Sequence, residues 1–121
     1  MLSVDARSPT PPAFFTLDQA QALLPTVKHL TEEAVRRTET IGERLRETAE
    51  DDPQSGRLAE ALEGVVTDWS ARIRALGAEV KGLWLVDFDN GDGYYCWRYP
   101  EERVAHYHGY DDGFAGRMKI L

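Results

Sequence analysis

The chain has 121 residues, 42% hydrophobic and 29% charged, with a formal net charge of -7 and a single cysteine, Cys96. This length and apolar content suffice for one domain with one core, and the acidic balance disfavours nucleic acids and anionic membrane surfaces as partners. With no apolar run of membrane-spanning length, no secretory signal and no possible internal disulfide, we expect a cytoplasmic protein.

The N-terminal segment, residues 1–13, contains three prolines and no apolar period. Such a composition cannot bury enough surface to offset the entropy of ordering, which predicts a disordered tail followed by a single α+β domain over residues 14–121. Order is expected from Thr16, which is suited to cap a helix. Gln19 follows three residues later, as in a capping box, and Asp18 favours the positive end of the helix dipole.

Two long helices are predicted next, as an antiparallel hairpin from about Leu17 to Lys81. Apolar or small residues recur at steps of three and four in both helices, the spacing of a partner-facing stripe. Pro25 predicts a kink or short break near Leu23 and Leu24, and turn-forming residues 51–56 separate the helices. The stripe positions are Leu17, Ala20, Leu24, Val27, Thr31, Ala34, Thr38, Ile41 and Leu45, then Leu58, Leu62, Val65, Trp69, Ile73, Leu76 and Val80.

The length of these helices has a consequence for assembly. A lone hairpin of roughly 30- and 25-residue helices hides only one side of each stripe. The apolar surface left exposed is larger than monomers usually tolerate. The stripes therefore predict a homodimer that forms a four-helix arrangement.

After Gly82 the pattern changes to that of a β-hairpin. Residues 83–88 and 94–99 are rich in aromatic and branched side chains, and residues 89–93 form a strong turn signal between them. Pro100 ends the second strand because it cannot donate to the ladder. The remaining residues, to Leu121, have no secondary structure that the pattern predicts. The fold class is thus α+β, a long helical hairpin packed with a small β-hairpin and a C-terminal segment.

Most side chains suited to chemistry lie in the C-terminal quarter. Carboxylate and imidazole donors there could hold Zn, Fe or Mn, although no paired-cysteine or His-Glu-x-x-His signature is present. The histidines could equally be hydrogen-bonding surface groups, and Cys96 is more typical of a small core residue than of a nucleophile. The candidates are Asp87, Cys96, Glu101, Glu102, His106, His108, Asp111, Asp112 and Arg117.

Several motifs resemble a prokaryotic family of uncharacterised proteins, the domain of unknown function 2203. The resemblance runs through residues 15–20, 23–25, 82–88, 96–98 and 113–117, with Glu101 and His108 at motif positions. It differs at Gly109, where the family pattern has a glutamate, and Asp111 or Asp112 could substitute. The resemblance implies no particular activity.

The resemblance selects four side chains from this larger set. It favours Asp87, Glu101 and His108 as metal ligands and Arg117 as the residue that binds an anionic cofactor or substrate. Arg117 could instead pair with Asp87 or Glu101 inside the fold.

Three classes of function stay open at this point. The first is a dimeric binding or assembly module, which the long stripes favour. The second is a metal-binding protein or metal-dependent enzyme with its site in the C-terminal segment, and the third is a structural accessory of another protein. No pattern in the sequence identifies a reaction or a small-molecule ligand.

Overall fold

The computed structural model describes residues 14–120, so the predicted disordered tail lies outside the described residues. The chain forms two long helices and then a five-stranded antiparallel sheet, which confirms the predicted α+β fold with a helical hairpin. The elements are α1 (Leu17–Arg46), α2 (Pro53–Ala75), β1 (Glu79–Gly82), β2 (Leu85–Asp89), β3 (Gly93–Arg98), β4 (His106–Gly109), a 3₁₀ turn (Phe114–Gly116) and β5 (Met118–Lys119).

Helix α1 begins where the sequence predicts. The Thr16 hydroxyl accepts a hydrogen bond from the Gln19 backbone N–H at 3.1 Å, and the Gln19 side chain accepts one from the Thr16 N–H at 2.8 Å, which satisfies two otherwise free donors. Of the kink or short break predicted near Leu23 and Leu24, the break is wrong, because α1 continues through Pro25. Proline removes only one helical hydrogen bond, and the buried Leu24 and Val27 on either side keep the helix packed.

Helix α2 ends earlier than the sequence pattern predicted. It stops at Ala75, and Gly77 has a φ of 95°, a left-handed conformation that commonly terminates helices. Val80 was assigned to the helical stripe but lies in β1, opposite Val86 of β2. A single apolar residue fits both the helical spacing of three to four residues and the alternation of a strand. The spacing alone therefore did not show that Val80 belongs to a strand and not to the helix.

The sheet has the strand order β1-β2-β3-β4-β5. The predicted β-hairpin is the central pair β2–β3, while β1, β4 and β5 were not predicted as strands. One face of the sheet packs against the helices, where Val86, Phe88 and Trp97 join a core with Trp69 and Ile73. Within residues 14–120, no helix has the length and apolarity needed to cross a membrane.

Candidate functional site

The sheet face opposite the helices carries a row of polar side chains. Residues that pair directly across antiparallel strands point to the same face. Val86 pairs with Trp97 on the core side, so the next pair, Asp87 with Cys96, lies on the outer side. Cys96 pairs in turn with His106 of β4. The register therefore places a carboxylate, a thiol and an imidazole side by side.

Asp87 and His108 form a buried hydrogen-bonded pair at the centre of this face. Their side chains are 0% and 4% exposed, and His108 Nε2 lies 2.8 Å from Asp87 Oδ2. The other ring nitrogen, Nδ1, lies 2.8 Å from the Gly109 carbonyl oxygen. A carbonyl only accepts hydrogen bonds, so Nδ1 carries a hydrogen and donates it. One further proton is then shared between Nε2 and Oδ2, and the pair has no net charge wherever that proton lies.

The pKa of the Asp87 carboxyl is raised above its ordinary value. Burial is the main cause, and the neighbouring His108 partly opposes it. The second oxygen, Oδ1, is buried and has no hydrogen-bond partner of acceptable geometry among the described residues. Buried polar atoms without partners are rare in native proteins, and each calls for an explanation such as an ion or a water.

The Cys96 thiol lies next to the Asp87 carboxyl, and a hydrogen bond from the thiol is one of the effects that partly oppose burial, which raises the pKa of Asp87. Ligand atoms of Asp87, Cys96 and His108 all lie within 4.8 Å of one another, and all three residues are buried. Burial and then the nearby Asp87 raise the pKa of Cys96 to about 12, so the thiol is neutral in the absence of an ion. Cys96 is buried, as the sequence interpretation expected, but it lies on the outer face of the sheet and outside the core cluster.

A second pair, Glu101 and Arg117, lies beside the thiol. Arg117 Nη1 donates to Glu101 Oε1 at 3.1 Å, and Nη2 donates to Oε2. Burial opposes ionisation of Glu101, but Arg117 and the backbone N–H of Arg98 outweigh it and lower the pKa of this carboxyl. Arg117 Nη1 also lies 3.9 Å from Cys96 Sγ. The guanidinium is thus engaged inside the fold, one of the two roles considered for it.

The four residues chosen from the sequence therefore form two pairs, connected through Cys96. Asp87 and His108 belong to the buried cluster, whereas Glu101 belongs to the neighbouring ion pair. Sequence reasoning left Cys96 out of the site. Counting residues outward from a two-residue turn at Gly91 and Asp92 would have placed it opposite Asp87.

His106 and Glu102 lie outside the cluster. His106 Nδ1 is buried without a hydrogen-bond partner and lies 3.8 Å from Glu101 Oε2, on the far side of Cys96 from Asp87. Glu102 is exposed.

A cleft of about 370 Å³ opens above Asp87 and His108. Its walls come from the C-terminal loop and from β1 to β3. A slightly larger cleft, about 410 Å³, lies beside Pro25. There the Gln21 amide donates to the Val104 carbonyl and accepts from the Val104 N–H. None of the buried residues Asp87, Cys96 and His108 lines this second cleft. The other residues lining the first cleft are Lys81, Leu85, Tyr94, Tyr110, Asp111, Asp112, Gly113 and Phe114.

The loop after β4 places the Asp112 side chain close to Gly109. A Cβ atom on Gly109 would lie 2.9 Å from Asp112 Oδ2, and one on Gly116 would lie 3.0 Å from Asp112 Cβ. The Asp112 carboxylate thus fills the space that a side chain at position 109 would take. Of Asp111 and Asp112, it is Asp112 whose carboxylate lies beside position 109.

Comparison with known proteins gives one match. The family model described as "Uncharacterized conserved protein (DUF2203)" matches residues 13–120, which include every residue of the cluster and of the cleft. Neither the search of curated proteins nor that of solved structures found a significant match to this chain.

Proposed function

Since the chain belongs to the DUF2203 family of uncharacterised conserved proteins, whose description names no activity, we propose from the geometry alone that it binds a divalent metal ion. The proposed ligands are Asp87, Cys96 and His108. Asp87 and His108 line the floor of the 370 Å³ cleft, and Cys96 is buried beside Asp87. The observation that carries the proposal is the cluster of three buried ligand residues, whose ligand atoms lie within 4.8 Å of one another. Asp87 Oδ1 is also buried and has no hydrogen-bond partner of acceptable geometry among the described residues.

The ligand set suits Zn²⁺, and also Fe²⁺. A carboxylate oxygen, an imidazole nitrogen and a thiolate are the donors that zinc sites use, and three protein ligands leave one of four positions open. The hydrogen bond from His108 Nδ1 to the Gly109 carbonyl orients Nε2 as the ligand atom, in the manner of outer-shell partners in metal sites.

The charge balance also favours a divalent ion. The ion would replace two protons, the one shared by Asp87 and His108 and the one on Cys96. The site carries no net charge with the protons in place, and it would carry none with one divalent cation, one carboxylate and one thiolate. Binding therefore buries no uncompensated charge, which would otherwise be costly.

This proposal changes one ligand of the sequence prediction. Asp87 and His108 are kept, and Cys96 takes the place of Glu101. Both carboxylate oxygens of Glu101 are already bonded to Arg117. Arg117 in turn contacts the Cys96 sulfur, so the Glu101–Arg117 pair positions the thiol.

Metal analysis of untagged protein, purified and then supplied with Zn²⁺, Fe²⁺ or Mn²⁺, tests the proposal. We expect one ion per chain, and we expect Asp87→Asn and Cys96→Ser each to weaken binding by more than about 100-fold, since loss of an outer-shell partner alone costs 10- to 100-fold. Asp89→Asn is the matched control, because Asp89 lies two residues along the same strand and outside the cluster. Absence of stoichiometric metal under all three conditions, or full occupancy in Asp87→Asn, would contradict the proposal.

A second candidate function, assembly as a homodimer, is favoured by the distal part of the hairpin. Beyond Ala34 no residue of α1 is buried, and the stripe residues Ile41 and Leu45 are half-buried. Ile41 packs against the margin of the core cluster and Leu45 is not part of it. The core that includes the sheet contains instead the earlier stripe residues Ala20, Leu24, Val27 and Ala34. A second copy could cover the distal stripe in a four-helix arrangement.

We therefore predict that light scattering gives the mass of a dimer at a chain concentration of tens of micromolar. A homodimer with a dissociation constant of about 1 μM is largely assembled at this concentration. Ile41→Glu combined with Leu45→Glu should give monomers that keep their helical circular dichroism. Thr40→Glu, at an exposed position next to Ile41, is the control and should stay dimeric. A wild-type chain that is monomeric at this concentration would exclude the assembly.

A further inference from the structure

The charge of the cleft is determined by its rim. Its floor carries no net charge either with its protons or with a divalent ion, and Lys81 is paired with Glu79 at 3.0 Å. Asp111 and Asp112 form no ion pair within residues 14–120. Arg98 is also near, with its guanidinium 5.5 Å from the Phe114 ring centroid and no ion pair within residues 14–120. Two carboxylates against this one cation leave the cleft with net negative charge, which favours cations over anions.

The Asp112 carboxylate is held in a defined place. The absence of a side chain at Gly109 and Gly116 allows the Asp112 side chain to pack against both backbones. The Asp112 N–H donates to the Gly109 carbonyl at 3.2 Å, and the same carbonyl accepts from His108 Nδ1. The rim carboxylate and the floor imidazole are thus anchored to one carbonyl group, and this places Asp112 close to the floor.

The walls beside Asp112 are aromatic. Tyr110 and Phe114 are large side chains that remain exposed at the cleft. The Tyr110 hydroxyl donates to Asp89 at 2.6 Å, and its ring meets the Tyr94 ring edge-on at a centroid distance of 5.2 Å, so the wall has a fixed position. Binding pockets of this kind combine apolar walls with a few placed polar groups. The buried Asp87 carboxyl lies at the floor of the same cleft, and its Oδ1 has no hydrogen-bond partner of acceptable geometry among the described residues. A ligand in the cleft would thus bind above the proposed metal site.

We infer that the cleft binds a small organic amine, whose ammonium group pairs with Asp112 and whose carbon chain packs on Tyr110 and Phe114. The inference rests on the proposed function in one respect: the Asp87–His108 floor of the cleft must stay without net charge when the metal ion is bound, so that it does not repel the ammonium group. A dicarboxylate of the same length has the wrong charge for this rim.

Putrescine and succinate are suitable probes, because both have four carbons and two charged groups. Both charges are positive in putrescine and both are negative in succinate. We titrate each into ¹⁵N-labelled zinc-supplemented protein and follow the amide signals by NMR. Putrescine should shift the signals of residues 109–114 saturably, and succinate should not. Asp112→Asn should weaken putrescine binding by about tenfold or more, as expected for the loss of a charge-assisted hydrogen bond. Asp51→Asn, a remote exposed carboxylate in the loop between the helices, is the control for non-specific attraction.

A second variant tests the position of the carboxylate without removing its charge. In Gly109→Ala the new Cβ would lie 2.9 Å from Asp112 Oδ2 and must displace it, so putrescine binding should weaken in this variant too. Equal binding of succinate, equal weakening in Asp51→Asn, or unchanged affinity in Asp112→Asn would each overturn the inference. Metal content, measured on the same samples, separates the two proposals. If putrescine binds to protein that takes up no metal, the amine site is supported and only the metal proposal is contradicted.

Discussion

Trp69→Ala is expected to lower the free energy of unfolding by about 3 to 5 kcal/mol, the usual cost of removing a large aromatic side chain from a core. Trp69 is buried between the helices and the sheet, and its ring meets Trp84 edge-on at a centroid distance of 4.8 Å. Its indole N–H donates to the buried Thr31 hydroxyl at 2.9 Å. Since domains of this size have about 5 to 15 kcal/mol of total stability, the loss is a large part of the whole. Urea unfolding followed by circular dichroism measures it.

Trp69→Phe is the matched control for this prediction. It keeps an aromatic ring against Trp84 and removes the hydrogen bond to Thr31, whose own hydroxyl still donates to the Val27 carbonyl at 2.7 Å. The expected cost is about 1 to 3 kcal/mol, clearly below that of alanine. A loss of less than about 1 kcal/mol in Trp69→Ala would mean that this residue does not join the hairpin to the sheet in solution.

His108→Ala is expected to remove the stabilisation that zinc gives to the protein. An ion that binds only the folded state stabilises it by about 2.7 kcal/mol when the free ion is at 100 times its dissociation constant. The wild type should gain this amount on addition of Zn²⁺, and His108→Ala should gain almost none, because His108 supplies one of three proposed ligands. Urea unfolding with and without zinc, together with metal analysis, checks both parts.

His106→Ala is the control in the same strand. His106 lies two residues before His108, with its Nδ1 towards Glu101 and not among the clustered ligand atoms, so the variant should keep both the ion and the stabilisation. A different outcome is expected if Asp87 and His108 form only an internal network. His108→Ala would then lose about 1 to 3 kcal/mol of stability, while zinc would stabilise neither protein, and the metal proposal would fail.

Much of the fold could be predicted because its signals are local. The capping box at Thr16 and Gln19 and the turn before β3 each depend on residues within three positions of one another. The apolar stripes of both helices repeat over every turn, which is why the hairpin was predicted correctly. The end of α2 was missed although Gly77, a common helix terminator, was present in the sequence. Val80 extended the helical spacing by one step, and this favoured the wrong element.

The site depends instead on contacts between residues far apart in the chain. Nothing local to residues 106–109 indicates a strand, because β4 forms only where β3 offers its free edge. Asp87 and His108 are 21 positions apart, and their contact requires two successive strand pairings in the correct register. Composition and spacing by themselves determined the α+β class, the helical hairpin and which side chains were available for chemistry. Only the tertiary structure decided that Glu101 pairs with Arg117 and that Cys96 lies beside Asp87, because strand register selects neighbours across the sheet that no sequence interval specifies.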